Sequence, residues 1–361
     1  MKQQQYTRTA RIEKVLAILQ ELDIDACALR GMENIYYLTG FRGSEGTLVI
    51  TKGDILLLTD FRYITHAKEV TSGLRIVEIR QRNGGLPEIC KNYNIKRMGF
   101  DSFHMAYNIY KAWETSLPGI ELVPMEYIIE EIRKIKEPEE IAAIMKAIRI
   151  ATDAFTETLG KIVPGRTEKQ IANDLDYAMR GMGADCPSFQ TIVASGYRAA
   201  LPHAEPSDKK IASGEAIIID FGAQVDGYCS DETCTVLAGE PGEKIREIYA
   251  IVDDARKLAL KSARAGMPIK SLDGLVRGYI EERGYGDFFR HGVGHGVGIA
   301  VHESPTINSL SEGILEENMI LTIEPGIYLP NIGGVRLEDM VLVTAERAQI
   351  LTHIRKDPMT V

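Results

Sequence analysis

The chain has 361 residues, 45% hydrophobic and 26% charged, with a formal net charge of −9. That composition describes a soluble globular protein of about two domains, long enough to bury a core without disulfides or structural metals. The acidic balance argues against nucleic acid as the main partner, no apolar run reaches the ~18 residues of a membrane helix, and the polar start MKQQQYTRTARIEKV lacks the apolar stretch of a secretory signal.

Within the first ~125 residues, RIEKVLAILQELDI has apolar residues at helical spacing, whereas ACALR, TLVIT and DILLLTD read as short buried strands. These predict an α/β domain over 1–126. The segments LTGFRGSEG and TDFRY read as strand ends and turns. A strongly helical run, EYIIEEIRKIKEPEEIAAIMKAIRIATDAF, follows. Pro138 interrupts or restarts it. The boundary is therefore placed in a linker helix over 127–137, with a second domain over 138–361. Beyond the proline, Ile141, Ile144, Met145, Ile148 and Phe155 form a helical stripe.

The second domain contains a faint repeat. The stretch from Ile150 to Gly183 aligns with that from Ile251 to Gly286, each reading as helix, glycine-containing turn and helix. Thr167 to Gln170 fits a capping box. Five cysteines, Cys27, Cys90, Cys186, Cys229 and Cys234, are odd in number and form no C-x-x-C. They predict reduced thiols and a cytoplasmic location.

Each repeat is followed by a carboxylate pair. In GEAIIIDFGAQVDGYCSDETCTV, an apolar strand ends in Asp220, and Asp226-Gly227 marks a two-residue hairpin turn. Pairing Val225 with Tyr228 brings Asp231 opposite Gly222. Asp220 and Asp231 then become diagonal neighbours on one face, roughly 7–8 Å apart at the backbone. In ENMILTIEPGIYLPNIGGVRLEDMVLV, the strand ending in Glu324 is followed by a return strand bearing Glu338. A three-residue loop Asn331-Ile332-Gly333 pairs Pro330 with Gly334, which sets Glu338 opposite Gly326, on the face of Glu324. If the two halves meet face to face, four acids converge. Burial of that charge demands cations, and two divalent metals balance it. The stretch FFRHGVGHGVGIAVHE adds His291, His295 and His302. Its alternate glycines oppose a helix and allow close backbone approach.

The ordered set Asp220, Asp231, His295, Glu324 and Glu338, with the motifs IIIDFGAQVDGYCSDET, HGVGHGVGIAVHE, IEPGIY and GVRLED, resembles the dinuclear metallopeptidases of the pita-bread fold, which include methionine aminopeptidase, aminopeptidase P and prolidase. The resemblance runs from about Glu137 to the end. The N-terminal region resembles the α/β domain of prolidases, aminopeptidases P and creatinases. It implies an α+β chain, with a smaller α/β domain before a pita-bread domain of pseudo-twofold repeat. By position, those five residues match the metal ligands and His203 matches a substrate-side histidine. His291 and His302 match the two flanking histidines, and Arg336 an arginine behind the bridging acid. Cys234 departs from the family, since many members carry arginine there.

The resemblance further implies a hydrolase with two divalent ions per chain, Mn2+ first, Co2+ or Zn2+ also suited. Glu324 would shuttle the proton of the attacking water, while His291 and His302 would donate to the scissile carbonyl. His203, His302 and Arg336 would bind substrate. Xaa-Pro dipeptides are the expected substrate, longer Xaa-Pro peptides the alternative, and a homodimer the expected assembly. No nucleic-acid or membrane partner is expected. Five intact ligands disfavour a metal-free creatinase-like hydrolase or a non-catalytic binding member.

Overall fold

Pro138 starts a helix rather than breaking one. The computed structural model describes residues 2–80 and 84–361, and in it the long helical run divides into Ile128–Arg133 and Pro138–Leu159. Proline pushes the preceding residue towards extended backbone. Glu137 obeys, at φ −83° and ψ 160°, and forms a capping box with Glu140. Between the helices, Ile135 bridges to Met319. The contact pattern separates two units here, Met1–Arg133 and Lys134–Val361. The stretch assigned to a linker helix, 127–137, thus holds a six-residue helix and an extended segment.

The first unit is built on six strands in the order Arg75–Glu78, Ile55–Thr59, Thr47–Thr51, Ala26–Leu29, Arg97–Asp101 and Glu121–Met125. The sheet is mixed, since Ala26–Leu29 runs antiparallel to Thr47–Thr51 and parallel to Arg97–Asp101. Ala26–Leu29 and Thr47–Thr51 are buried throughout, as expected of apolar strands covered on both faces.

In the second unit, the expected repeat is present as two helix pairs. Pro138–Leu159 precedes Glu168–Gly181, and Glu243–Ser262 precedes Ile269–Glu281. Thr167 and Gln170 cap the second of these reciprocally. The first pair shares a core with a four-stranded sheet, ordered Met359–Thr360, Glu232–Leu237, Ala216–Phe221, Ile192–Ser195. The second shares one with a five-stranded sheet, ordered Glu303–Ile307, Gly294–Gly296, Ile320–Ile323, Asp339–Val343, Ala348–Ile350.

Strand alternation decides what faces the helices. Ile217, Ile219 and Phe221 pack in the first helical core, where Phe221 stacks on Phe155 with centroids 5.1 Å apart. Ile218 instead joins Ala199 and Tyr328 on the other face, the face that Asp220 shares. Likewise Leu321, Ile323, Val341 and Val343 pack under the second helix pair, leaving Thr322, Glu324, Glu338 and Met340 for the opposite side. No helix among the described residues is long and apolar enough to cross a membrane.

Candidate active site

The first ribbon folds as its turn dictates. Asp226 and Gly227 both take positive φ, 50° and 78°, so the two-residue loop matches the strand twist. Val225 pairs with Tyr228 and Gln224 with Cys229. The register continues past a break at Gly222 to pair Phe221 with Glu232 and Asp220 with Thr233. Asp231 therefore lies opposite Gly222, diagonal to Asp220, as the spacing predicts.

The second ribbon differs from expectation. Leu329 pairs with Gly333 and Tyr328 with Gly334, so the loop is 330–332, one residue earlier than Asn331-Ile332-Gly333. Asn331 supplies the positive φ, 65°. Gly333 and Gly334 belong to the strand because the backbone of the Gly196–Ala200 turn lies against them. A Cβ would stand 3.0 Å from the Gly196 carbonyl oxygen at Gly333, and 2.2 Å from that of Ala199 at Gly334. The register shifts by two residues, which preserves the facing side and changes the partner. Pairing of Ile323 with Asp339 extends to set Glu338 directly opposite Glu324, not opposite Gly326. The two ribbons thus present their acids differently, diagonal in the first and face to face in the second.

His295 enters from a three-residue strand, Gly294–Gly296, wedged between Glu303–Ile307 and Ile320–Ile323. Its flanking glycines answer a steric demand. A Cβ on Gly294 would meet the Thr322 carbonyl oxygen at 2.0 Å, and one on Gly296 the Ser304 carbonyl oxygen at 2.3 Å. The backbone N–H of His295 donates to Thr322 Oγ1 at 3.0 Å. Nδ1 donates to the Gly296 carbonyl at 2.9 Å, which leaves the Nε2 lone pair facing inward, 3.5 Å from Asp231 Oδ2 and 3.5 Å from Glu324 Oε1. Burial holds the imidazole neutral, its pKa lowered to about 4.

Ligand atoms of Asp231, His295 and Glu338 lie within 4.8 Å of one another. Burial first, then the neighbouring carboxylates, pushes Asp231 and Glu338 well above the carboxylate range and Glu324 to about 8. Asp220 meets Arg336 Nη2 at 2.6 Å through Oδ2, while its Oδ1 is buried with no hydrogen-bond partner. Were all four acids ionised against the Arg336 guanidinium, three negative charges would remain in a largely buried cluster. An orphaned carboxylate oxygen, an imidazole lone pair and mutually repelling acids are the donor set of a divalent cation site. Two such cations would bring the cluster within one charge of neutrality.

The flanking residues divide. His302 is open to solvent and sets its ring 4.4 Å from that of His295, edge to face, with partial desolvation lowering its pKa. No hydrogen bond ties its imidazole among the described residues. His203 is exposed, on the segment after Gly196–Ala200. His291 donates from Nδ1 to the Gly292 carbonyl at 2.8 Å and accepts the Tyr328 hydroxyl at Nε2, 2.9 Å away. Burial lowers its pKa to about 4. Both ring nitrogens are thus engaged, and the donor role expected for His291 is not open to it in this arrangement.

Arg336, expected to bind substrate, is 3% exposed and makes four side-chain hydrogen bonds within the protein. It donates to Asp220, to Thr233 Oγ1 at 3.1 Å, to the Pro202 carbonyl at 2.9 Å and to Tyr328 at 3.1 Å. It supports Asp220 rather than meeting substrate. Two participants escape sequence reasoning. Thr233 Oγ1 accepts from Arg336 and donates to Glu338 Oε2 at 2.7 Å, and the Tyr328 hydroxyl links Arg336 to His291. A signal for Thr233 existed, since its register position opposite Asp220 places it on the acid-bearing face.

Comparison with known proteins agrees with this architecture. Residues 142–345 match metallopeptidase family M24, and residues 11–135 match the creatinase/prolidase N-terminal domain. The chain is 39% identical to the Xaa-Pro dipeptidase of Pyrococcus furiosus over 349 residues, 96% of this chain and 99% of that one. Among solved structures, an Xaa-Pro dipeptidase from Bacillus anthracis superposes with TM-score 0.95 at 37% identity, covering 98% of this chain and 100% of that one. An X-Pro aminopeptidase from Thermotoga maritima superposes with TM-score 0.91, also at 37% identity, covering 97% and 99%. The α+β pita-bread architecture with a preceding α/β domain is therefore the one present, and the chain belongs to metallopeptidase family M24.

Proposed function

We propose that this enzyme is a metal-dependent Xaa-Pro dipeptidase. The observation that carries the reading is the convergence of Asp231, His295 and Glu338 beside Glu324 and the unpartnered oxygen of Asp220. These five residues would hold two divalent ions, Mn2+ first, with Co2+ or Zn2+ also suited to carboxylates and one imidazole. The ions supply Lewis acidity and a water acidified towards neutrality.

The chain's own residues supply the rest. Glu324 receives the proton of the attacking water and passes it to the departing proline nitrogen. His302 donates to the scissile carbonyl oxygen and binds substrate, and His203 at the exposed rim meets the substrate carboxylate. His291 acts at one remove, by orienting Tyr328 and through it Arg336 and Asp220. The neutral state of His295 at ordinary pH keeps its Nε2 available as a ligand.

The dipeptidases of Pyrococcus furiosus and Bacillus anthracis support the dipeptide preference, while the Thermotoga maritima aminopeptidase supports aminopeptidase P action on longer Xaa-Pro peptides as a second reading. Five free cysteines support a cytoplasmic location. The family resemblance supports a homodimer as the assembly. Purified protein loaded with Mn2+ should carry about two ions per chain and cleave an Xaa-Pro dipeptide faster than an Xaa-Pro-Yaa tripeptide. The reverse preference would establish the aminopeptidase reading, and no cleavage of either by metal-loaded protein would defeat both.

A further inference from the structure

The faces of the two ribbons turned away from the acid cluster carry a second set of charges. Asp231 and Glu338 face the candidate metal site, so the residues that follow them, Glu232 and Asp339, point to the opposite side. Both are almost completely buried, at 1% and 2% exposure. Each meets a buried cation. Lys356 Nζ donates to Glu232 Oε1, and Arg256 Nη1 donates to Asp339 Oδ2. The other Glu232 oxygen is buried without a hydrogen-bond partner, which makes Lys356 the cation on which this carboxylate depends. Lys356 Nζ also lies 3.4 Å from Cys234 Sγ.

Lys356 comes from the last residues of the chain, and those residues are stitched to both ribbons. Met359 and Thr360 pair in parallel with Val236 and Leu237, on the strand that follows Asp231. Leu351 N–H donates to the Met340 carbonyl at 2.9 Å, and Thr352 Oγ1 to Asp339 Oδ1 at 2.6 Å, on the strand that follows Glu338. The Tyr249 hydroxyl, from the helix Glu243–Ser262, donates to the Lys356 carbonyl at 3.2 Å. One short segment thus touches the ligand-bearing strand of each half from behind.

We propose, taking Asp231 and Glu338 as metal ligands, that the C-terminal segment 351–361 is a brace that sets the spacing of the two ribbons, and that Lys356 is its positioning residue through Glu232. A backbone shift at Glu232 is carried directly to the adjoining ligand Asp231. Removal of the ammonium leaves Glu232 buried without its partner, and whether the carboxylate takes up a proton or the strand shifts or hydrates, the tie between the segment and the ligand-bearing strand is lost. Supporting residues of this kind, when lost, lower metal affinity by about 10–100-fold.

The test is Mn2+ binding by calorimetry on the metal-free full-length protein, with far-UV circular dichroism as a fold control. Lys356→Met should weaken Mn2+ binding at least ~10-fold while the fold persists. Lys356→Arg should recover most of the affinity, and so should Glu232→Gln combined with Lys356→Met, which removes both charges. Unchanged Mn2+ affinity in Lys356→Met would overturn the proposal, as would a double variant as weak as the single. Should Lys356→Met not fold, the double variant decides. Folded and close to wild-type affinity, it supports the brace. Folded and weak, or unfolded, it refutes it. A wild-type chain that binds no Mn2+ would remove the metallopeptidase reading itself, an outcome distinct from any of these.

Discussion

Glu168 offers the sharpest test of how the substrate side is held. It is the first residue of the helix Glu168–Gly181, fully buried, and its carboxylate accepts five hydrogen bonds. Ser195 N–H and Oγ donate at 2.8 and 2.9 Å, Ser207 N–H and Oγ at 3.0 and 2.6 Å, and Arg198 Nε at 2.9 Å. Both ends of the segment that displays His203 and Pro202 are therefore tied to one side chain. In Glu168→Ala the hydroxyls can turn to other acceptors, whereas the two backbone N–H groups cannot. The buried Ser195 N–H left unmatched costs ~1–3 kcal/mol, and the half-buried Ser207 N–H, which water can reach, costs less. The expected loss is about 1–4 kcal/mol in urea unfolding. Glu168→Gln, which keeps one acceptor oxygen, should lose less. Because the Pro202 carbonyl also accepts from Arg336, a loosened segment should raise KM for the dipeptide more than it lowers kcat. A Glu168→Ala protein within ~0.5 kcal/mol of wild type, with unchanged KM, would show that the carboxylate does not organise this segment.

Other expectations follow from the same geometry. Asp231→Asn should lose bound metal and activity together, measured by metal analysis and dipeptide hydrolysis. His302→Ala should keep its metal and lose rate by ~10²-fold or more, the size expected for loss of a transition-state donor. Thr233→Val is nearly isosteric at a fully buried site, but removes the donor to Glu338 and the acceptor for Arg336. It should weaken Mn2+ binding by about 10–100-fold in calorimetry without unfolding the chain. The metal-free protein should lose stability as pH rises. Glu324 has a folded pKa raised to about 8 from an unfolded value near 4.5, so its protonated form favours folding and that advantage disappears through this window. Below about pH 7 the buried His291 and His295, still partly protonated when unfolded, offset this trend; from about pH 7.5 to 8 they are nearly neutral in both states, and Glu324 contributes a decline of about 1 kcal/mol per pH unit that fades as it ionises. Thermal unfolding with chelator should show this decline, and Mn2+ should abolish it. A metal-free Tm that rises across this range would contradict the buried-acid account.

What the sequence displayed and what it hid follow from how local each cause is. The first ribbon was legible because Asp226-Gly227 closes a two-residue loop, and no alternative register exists once both residues take positive φ. The second was misplaced by two residues because Gly333 and Gly334 look like turn glycines. Their reason for being glycine lies in the carbonyls of Gly196 and Ala199, more than 130 positions earlier. The acids survived that error because a two-residue slip keeps every side chain on its face. Arg336 was placed behind the bridging acid, where it meets Asp220, but the sequence left open whether it would also meet substrate. Its partners, Asp220, Thr233, Pro202 and Tyr328, come from three separate segments, and only their convergence shows that the guanidinium is already engaged. Lys356 had no local pattern at all, since a lone lysine near a chain end reads as a solvated charge.

The hydroxyls explain how so many acids are held at fixed angles. Thr233, Thr235 and Thr322 occupy the same faces as the ligands, and each is fully buried. Thr235 Oγ1 donates to the Arg336 carbonyl at 2.8 Å and receives its backbone N–H at 3.2 Å, which joins the first ribbon to the second. Thr233 couples Arg336 to Glu338, and Thr322 receives the backbone of His295. A hydroxyl both gives and takes a hydrogen bond, so it can orient a carboxylate and a cation at once without adding charge to a site that has too much. A serine would serve the chemistry but not the strand, where the β-branch restricts the side chain to few rotamers. Threonine therefore meets both demands, and its recurrence beside the acids is a consequence of placing charged ligands on buried β-strands.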